Sequence, residues 1–357
     1  MAPLHLSPNP VSFEQYSSPA KLLKEIPDCI LCDSKGTMRY ASCTDYYCGS
    51  PGEYSYLSCP SCDLLWVSPQ PELSYLIELY NTYFGETLTV PELTRAPRSW
   101  TDFLRRAVLS TLGYPATRIE RIMGIGLARV PLIREKARYG LGWTFLPYRQ
   151  RGMFLEVGSG TGWFLKIMER WGWRGIGIEP DAKAVEIGRE RYNVDIREGT
   201  IHELSFPQNT FDAIVMRHVI EHVPDPLSLL RQCSALLKPG GWLALATPNG
   251  RSLASRWFGR HWRGLMVPWH LFLFGPISMR LLLQKAGFTK VRVRTRAVSA
   301  HWIYTASRWI KEGRYHAHTQ VPSNWLFHTL EVLLNFVQGG VGEEMEAVAQ
   351  KPLDSTD

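Results

Sequence analysis

Residues 154–162 read Phe-Leu-Glu-Val-Gly-Ser-Gly-Thr-Gly. An apolar run ends in an acid, three glycines follow at alternate positions, and an amphipathic pattern begins at Trp163. This order predicts a strand, a tight turn and the start of a helix. Glycine lets the backbone come close to a ligand because no Cβ lies in the way. The E-x-G-x-G-x-G spacing differs from the G-x-G-x-x-G of dinucleotide-binding turns.

Predicted strands follow this turn along the chain. The second strand, 175–179, ends in Glu179, which lies 21 positions after Gly158. Open parallel sheets bind ligands at the carboxyl ends of their strands, so a carboxylate there can accept hydrogen bonds from ribose hydroxyls. The spacing is close to the roughly 20 residues typical of a ribose-binding acid. Further strands are predicted at 194–200, 211–216, 242–246, 291–295 and 345–349.

The order of these segments, with F-D-A-I-V at 211–215 and L-K-P-G-G at 237–241, resembles class I S-adenosylmethionine-dependent methyltransferases. The resemblance covers about 150–250. It implies an α/β fold with a Rossmann-like seven-stranded methyltransferase sheet and helices on both faces. It also implies S-adenosyl-L-methionine as the cofactor, with its methionine part at Glu156 and the glycine turn, and its ribose at Glu179.

Thr200 stands where many relatives carry an Asp that contacts the adenine amino group. Only a hydroxyl and backbone atoms are available at that position. The predicted cofactor-binding residues are Glu156, Gly158, Ser159, Gly160, Gly162, Glu179, Thr200 and Arg217.

Two C-x-x-C pairs, Cys29/Cys32 and Cys59/Cys62, are separated by 26 residues. Four thiolates from two such turns suit a tetrahedral zinc ion, and a closed site of this kind is structural. The pattern therefore predicts a zinc ribbon whose folding depends on the metal. Cys43 and Cys48 lie between the pairs, either as spare thiols or as competing ligands.

Composition divides the chain into four parts: a loose lead-in over 1–25, the zinc ribbon over 26–70, a basic helical connector over 71–149, and the methyltransferase domain over 150–357. A helix with Tyr75, Tyr80 and Tyr83 is expected in 71–90. Residues 300–340 are predicted as a helical insertion before the last strand. Its second half has apolar residues at helical spacing, which favours core or dimer packing, with a substrate lid or an interfacial helix at a lipid carrier as alternatives.

The net charge of +7 comes from one region, since 91–151 holds 12 Lys/Arg against 4 Asp/Glu and the remainder is nearly neutral. This excess is typical of a solvated helix face, or of a surface that attracts an anionic partner. The sequence shows no secretory signal and no run of 18 apolar residues. These features predict a cytoplasmic protein without a spanning helix.

The segment after the fourth strand, 216–226, resembles the E-H-V-P-D-P stretch of ubiquinone-biosynthesis O-methyltransferases and of sugar methyltransferases. On a helix, His218 and His222 would share a face with Glu221 adjacent. These three are the predicted catalytic residues, with His222 as a general base oriented by a carboxylate. Two alternatives are that the His-Glu-His set holds a divalent ion, and that His222 only packs the turn.

A later block, 258–274, resembles a segment of bacterial methyltransferases of saccharide biosynthesis, often with an N-terminal zinc ribbon. His261, Arg263 and His270 are the predicted substrate-binding residues, with Trp262 and Trp269 stacking on a sugar ring. A structural loop pinned by buried tryptophans is the alternative.

The sequence thus predicts methyl transfer to a hydroxyl, or to a carbon, of a small polar acceptor such as a sugar, a sugar nucleotide or a lipid-linked saccharide. One alternative is an RNA or protein methyltransferase that docks through the ribbon and the connector. Arg217-His218 stands where enzymes that methylate nucleobase amino groups often carry an Asn/Asp-Pro-Pro-aromatic motif, which argues against methylation of a nucleobase amino group. A nucleic-acid partner is accordingly not expected. The other alternative is a non-catalytic binding protein.

Overall fold

The computed structural model describes residues 23–47, 49–50, 52–72, 74–76, 100–138, 146–150, 152–315 and 319–353. Most of the predicted lead-in, Cys48, and the predicted helix positions Tyr80 and Tyr83 lie outside these ranges. The side chains of Lys136 and Arg138 are likewise outside the described part of the chain.

The strands alternate with helices beyond residue 150, as the sequence predicts. The strands are β1 (Leu23–Lys24), β2 (Thr37–Cys43), β3 (Tyr54–Ser58), β4 (Leu65–Ser68), β5 (Gln70–Pro71), β6 (Met153–Val157), β7 (Arg174–Glu179), β8 (Asp195–Glu198), β9 (Phe211–Arg217), β10 (Leu237–Pro248), β11 (Phe272–Leu273), β12 (Thr289–Arg296) and β13 (Glu344–Gln350). The helices are α1 (Trp100–Ser110), α2 (Arg118–Leu127), α3 (Pro131–Arg138), α4 (Trp163–Arg170), α5 (Ala182–Ile187), α6 (Pro226–Leu236), α7 (Leu253–Phe258), α8 (Pro276–Lys285), α9 (Ala300–Lys311) and α10 (Trp325–Gln338).

A seven-stranded sheet in the order β12-β13-β10-β9-β6-β7-β8 forms the centre of the molecule. Its strands β8, β7, β6, β9 and β10 are parallel, and β13 is antiparallel to both β10 and β12. The central strands β6 and β9 are almost entirely buried, because a parallel sheet is covered by helices on both faces. The predicted seven-stranded α/β sheet is confirmed.

The observed strand boundaries differ most from the predicted ones at 237–241. The predicted fifth strand starts at Trp242, directly after L-K-P-G-G at 237–241. In the structure Leu237 already pairs with Phe211, and an irregularity in register separates it from the regular pairing that starts at Trp242. The strand therefore begins at Leu237 and is interrupted at Gly240, whose left-handed φ of 69° favours a residue without a Cβ.

The N-terminal cysteine region forms a second sheet in the order β11-β4-β3-β2. Strands β2 to β4 come from 37–68, whereas β11 comes from the block that follows the fifth strand of the main sheet. Phe272 pairs with Trp66, and Leu273 pairs with Leu65. One hydrophobic core includes residues of both sheets. The ribbon is thus completed by a strand from the larger domain.

Asp63 of the ribbon also caps a helix of the larger domain. Its Oδ1 accepts a hydrogen bond from Ser278 N at 2.9 Å, and its Oδ2 accepts one from Ile277 N at 3.2 Å. Both amides lie in the first turn of α8, where backbone N–H groups lack partners within the helix. A Cβ at Gly275 would lie 2.5 Å from the Asp63 carboxyl group, so the close approach requires glycine.

The helices outside the main sheet make a connected layer. Helix α1 packs against α2 and α3, and α3 contacts α10. Most of α10 does not pack in the core, since Leu326 is 83 % exposed and Val337 is 79 % exposed. Dimer packing, a substrate lid and an interfacial helix stay predictions for this segment. Within the described residues, no helix has the length and apolar character needed to span a bilayer.

We predict that Asp63→Ala lowers the free energy of unfolding by about 1 kcal/mol more than Asp33→Ala does. Both residues have a left-handed φ, 61° and 57°, so the backbone effect of the substitution is matched. Only Asp63 caps α8. Urea unfolding of the two variants measures the difference, and equal destabilisation would contradict the helix-capping role.

Candidate functional site

The glycine turn after β6 has the conformation that its sequence predicts. Gly158, Gly160 and Gly162 have φ values of 67°, 52° and 72°, a region that L side chains rarely adopt. The amides of Gly158 and Ser159 both donate to the carbonyl of Ile178 on β7, at 2.9 and 3.1 Å. The turn is therefore held against the neighbouring strand.

The three glycines meet different surroundings. A Cβ at Gly158 would lie 2.4 Å from Val219 Cγ2, and one at Gly162 would lie 2.6 Å from Ile196 Cδ1. A Cβ at Gly160 would meet nothing within 4 Å. The turn is packed at its two ends and open in its middle, as a turn that cradles a ligand requires.

Glu179 lies at the carboxyl end of β7 and binds the turn directly. Its Oε2 accepts a hydrogen bond from Gly160 N at 2.8 Å, and its Oε1 accepts one from Asp181 N at 3.1 Å. Burial raises the pKa of this carboxyl group although both hydrogen bonds favour the charged form. Gly199 N donates to the Glu179 carbonyl at 2.9 Å, which brings the half-buried Thr200 to the same edge.

Glu156, the acid at the start of the E-x-G-x-G-x-G motif, is fully buried and paired with Arg217. The Oε1 atom accepts from Nη2 at 2.8 Å and from Nε at 3.1 Å. The guanidinium also lies over the rings of Trp163 and Phe164, at 4.8 and 4.3 Å from the centroids. Arg217, predicted to bind the cofactor, thus holds Glu156 in place.

The second oxygen of Glu156, Oε2, is buried without a hydrogen-bond partner among the described residues. Burial raises the pKa of this carboxyl group to about 7, although the Arg217 charge opposes the shift. A buried carboxylate oxygen without a partner is costly, so a cationic ligand group would be stabilised there. The α-ammonium of S-adenosylmethionine is such a group. The open glycine turn at Gly160 follows Glu156 closely in sequence.

Glu221 organises the turn after β9. Its Oε1 lies 3.2 Å from His218 Nδ1, and its Oε2 accepts from the Thr247 hydroxyl at 3.0 Å. Burial acts to raise the pKa of Glu221, but the bond to His218 prevails and lowers it to about 2. Burial likewise acts to lower the pKa of His218, and the Glu221 hydrogen bond raises it. Thr247 was not assigned a role from sequence, because nothing local links it to Glu221.

The predicted helix through His218 and His222 is wrong. His218 has a left-handed φ of 54°, and only the single 3₁₀ turn Ile220–His222 follows it. His218 therefore contacts Glu221 without sharing a helix face with His222. The side chains that come together are instead Glu221, His222 and His270, whose ligand-type atoms all lie within 4.8 Å of one another.

His222 and His270 are oriented in the same way. Nδ1 of His222 lies 2.8 Å from the Trp269 carbonyl, and Nδ1 of His270 lies 2.7 Å from the Gly264 carbonyl. A carbonyl only accepts, so Nδ1 carries the proton and Nε2 holds the lone pair of each neutral ring. The ring centroids are 4.8 Å apart. Burial lowers the pKa of both residues, that of His270 to about 3.

The backbone of Leu271 connects this cluster to the ribbon. Its N–H donates to the Glu221 carbonyl at 2.8 Å, and its carbonyl accepts from Val67 N at 3.0 Å. The Tyr56 hydroxyl lies 2.7 Å from the His270 carbonyl. The ribbon therefore fixes the backbone on which His270 is carried.

The other predicted substrate-binding residues, Arg263 and His261, are not part of the Glu221, His222 and His270 group. Arg263 is buried, donates from Nε to the Tyr315 hydroxyl at 2.8 Å, and lies 4.6 Å from the centre of the Tyr47 ring. His261 is half-buried next to it in sequence. The prediction that Trp262 and Trp269 stack on a sugar ring is wrong, because the two side chains are 0 % and 3 % exposed. Trp262 Nε1 donates to Glu343 at 2.5 Å.

The four predicted metal-binding cysteines converge. The Sγ atoms of Cys29 and Cys62 are 3.5 Å apart, and those of Cys32 and Cys59 are 3.3 Å apart. The four cysteines are free, and all four Sγ atoms lie within 4.8 Å of one another. Cys43 is not in this group; burial raises the pKa of its thiol to about 11.

The two cysteine turns have matching geometry. Leu31 N and Ser61 N each lie 3.4 Å from the sulfur two residues earlier. Each turn closes with an amide-to-carbonyl bond, from Cys29 N to Ser34 and from Cys59 N to Leu64. Backbone amides that point at the sulfurs stabilise thiolates, so the donor set fits a tetrahedral zinc ion.

Comparison with known proteins agrees with this geometry. Residues 133–293 match the sequence model of a family described as methyltransferase domain. This part of the chain is a methyltransferase domain. It is of the S-adenosylmethionine-dependent class, as the glycine turn and the strand order predict.

The chain is similar to ubiquinone biosynthesis O-methyltransferases. That of Xanthomonas campestris is 38 % identical over 101 residues, which cover 27 % of this chain and 42 % of that protein. That of Parvibaculum lavamentivorans is 30 % identical over 142 residues, which cover 38 % and 56 %. The chain thus spans about half the length of the curated relatives it matches.

Among solved structures, the chain is similar to phosphoethanolamine N-methyltransferase 2 of Haemonchus contortus in complex with S-adenosyl-L-methionine. The TM-score is 0.44 at 16 % identity, and the alignment covers 81 % of this chain and 63 % of that one.

We predict that the affinity of the methyltransferase domain for S-adenosylmethionine rises about tenfold from about pH 5.5 to about pH 7. The pKa of Glu156 is raised to about 7, so the carboxyl group is protonated at the lower pH and cannot pair with a cation. Glu156→Gln should bind more weakly at pH 7 and lose this pH dependence. Calorimetric titration measures both, and an unchanged pH profile in the variant would remove Glu156 from the cofactor site.

Proposed function

We propose that the protein transfers a methyl group from S-adenosylmethionine to a hydroxyl of a small polar acceptor, with His222 as the general base. The observation that carries this proposal is the orientation of His222. Its Nδ1–H is committed to the Trp269 carbonyl, so Nε2 of the neutral ring is available to accept a proton. The lowered pKa keeps the ring neutral at physiological pH.

The cofactor site follows from the sheet edge. Glu156 would bind the ammonium of the methionine part of the cofactor, and the backbone of the turn at Gly158–Gly162 would line that part. Glu179 would face the ribose, and Thr200 would face the adenine. When bound, S-adenosylmethionine supplies a methyl group on a positively charged sulfur. The paired Arg217 keeps Glu156 oriented while leaving Oε2 for the ligand.

Glu221 supports the proton transfer without contacting the acceptor. Its pKa is lowered to about 2, so it is charged at all relevant pH values. The negative charge stabilises the imidazolium that His222 becomes when it removes the acceptor proton. Glu221 also orients His218 through the 3.2 Å contact. General-base catalysis of this kind typically contributes about 10²–10⁴-fold in rate.

A sugar is the acceptor class we propose, with a phenol as the second candidate. Polar side chains of the 258–274 block, His261 and His270, favour hydroxyl-rich ligands, although Trp262 is not available for stacking. The names of the relatives, ubiquinone biosynthesis O-methyltransferases, favour a phenolic hydroxyl. Release of S-adenosylhomocysteine across nucleotide sugars, lipid-linked sugars and phenols separates the two classes.

We also propose that Cys29, Cys32, Cys59 and Cys62 hold a structural zinc ion. The convergence of their sulfurs supports the proposal, as does the absence of disulfides among them. Free thiols are kept reduced in the cytoplasm, which is where we propose that the protein works. The metal would stabilise the ribbon and, through β4 and β11, the backbone that carries His270.

We predict that His222→Ala lowers turnover by about 10²–10⁴-fold while the affinity for S-adenosylmethionine stays unchanged. The wild-type rate should fall only at acidic pH, below about 6.5, because the lowered pKa of His222 delays its protonation. His202→Ala, at an exposed turn residue, is the matched control. Undiminished turnover in His222→Ala would remove His222 as the base.

We predict that the purified protein contains a single zinc ion, and that Cys62→Ser loses it and lowers the melting temperature. Cys43→Ser should keep the metal, because Cys43 lies outside the four-sulfur group. Elemental analysis and thermal unfolding measure the two effects. A Cys62→Ser variant with full zinc content would contradict the assignment.

A further inference from the structure

Helix α10 presents an apolar face to solvent. Its 14 residues, Trp325–Gln338, include no Lys or Arg, and its one acid, Glu331, is fully buried. The exposed large apolar residues of this helix are defined here as the α10 apolar face: Trp325, Leu326, Leu330, Leu333, Phe336 and Val337. Surface helices normally turn such residues inward, so an exposed apolar stripe of this extent marks an interaction site.

The neighbouring connector adds basic charge to more exposed apolar residues. On α2, Ile119 and Ile122 are 66 % and 65 % exposed. Arg118, Arg121 and Arg129, on and just after this helix, are exposed as well. The remaining large apolar residues exposed on and after α2 are Met123, Ile125 and Val130.

The charge on α2 is unbalanced because its acid is not available. Glu120 is 2 % exposed and forms an ion pair with Arg106 at 2.5 Å. Helix α3 follows α2 directly, exposes Leu132, and contacts α10. Exposed apolar side chains therefore lie on α2, α3 and α10, exposed arginines lie on α2, and α3 connects α2 with α10.

We propose that α2, α3 and α10 form one surface that docks on an anionic membrane. A bilayer interface accepts apolar side chains, while its anionic headgroups attract arginines at the same depth. At 14 residues α10 is shorter than the roughly 20 that a spanning helix needs, so it would lie in the plane of the interface. The proposal is independent of the reaction that the domain carries out.

Two other partners explain only part of this surface. In a dimer related by a two-fold axis, this surface of one copy would contact the same surface of the other copy. Like charges on the two α2 helices would then come together. A nucleic acid would use Arg118 and Arg121 but would leave the leucines of α10 exposed. A membrane accounts for both the apolar residues and the positive charge.

The test is co-sedimentation of the full-length protein with vesicles of equal parts phosphatidylglycerol and phosphatidylcholine, compared with phosphatidylcholine alone. We expect binding to the mixed vesicles that weakens in high salt. Leu326→Asp and Val337→Asp should each lower the partition coefficient at least about tenfold, because the helix can no longer insert. The Arg118→Gln/Arg121→Gln double variant should lower it about 30-fold, since each basic residue contributes about fivefold.

Met38→Asp is the matched control. Met38 is 61 % exposed on β2, away from the proposed surface in sequence, and its substitution should leave vesicle binding unchanged. The substituted residues of α10 are more than three-quarters exposed, so the variants should fold, and unchanged affinity for S-adenosylmethionine checks this.

Three outcomes would overturn the proposal. One is full vesicle binding by Leu326→Asp. Another is a dimer in analytical ultracentrifugation that Leu326→Asp converts to a monomer, with no vesicle binding by the wild type; the surface would then be an interface between copies. The last is binding of the wild-type protein to RNA in a gel-shift assay, lost in the arginine double variant alone, with no vesicle binding by the wild type.

Discussion

The backbone of Leu271 joins the two halves of the molecule. Its carbonyl accepts from Val67 of the ribbon, and its amide donates to Glu221 at the end of the central sheet. These two backbone hydrogen bonds restrict the positions of the residues on either side of Leu271. His270, one residue earlier, lies with His222 and Glu221, and the pairing of the ribbon strand β4 with β11 holds the chain that follows it.

Three buried carboxylates at the sheet edge are stabilised in different ways, and the differences suit different roles. Glu179 accepts two backbone amides and keeps its charge oriented toward the glycine turn. Glu156 has a cation on one oxygen only, and its other oxygen has no hydrogen-bond partner among the described residues. Glu221 is bound on both oxygens, by His218 and Thr247, which makes it a fixed charge and not an acid or base.

The cysteine ribbon is a structural part of the site. Its sheet is completed by residues from the larger domain, Asp63 caps α8, and Tyr56 reaches the His270 carbonyl. A small domain of this size buries too little apolar surface to fold alone. The shared core contributes to its stability, and the zinc ion proposed at the four cysteines would add to it.

The sheet, the glycine turn with Glu156 and Glu179, and the cysteine pairs can be predicted from the amino-acid sequence, because these are local patterns with fixed spacing. The sequence also places His222 and Glu221 after the fourth strand, but it does not give their geometry, since the left-handed φ of His218 replaces the expected helix. That His270 joins them across 48 positions, and that the Trp262 ring is buried, follows from long-range packing that no local pattern shows. The same holds for the outward apolar face of α10. Helical spacing shows that a helix has an apolar side, but which side is covered depends on contacts between elements distant in sequence.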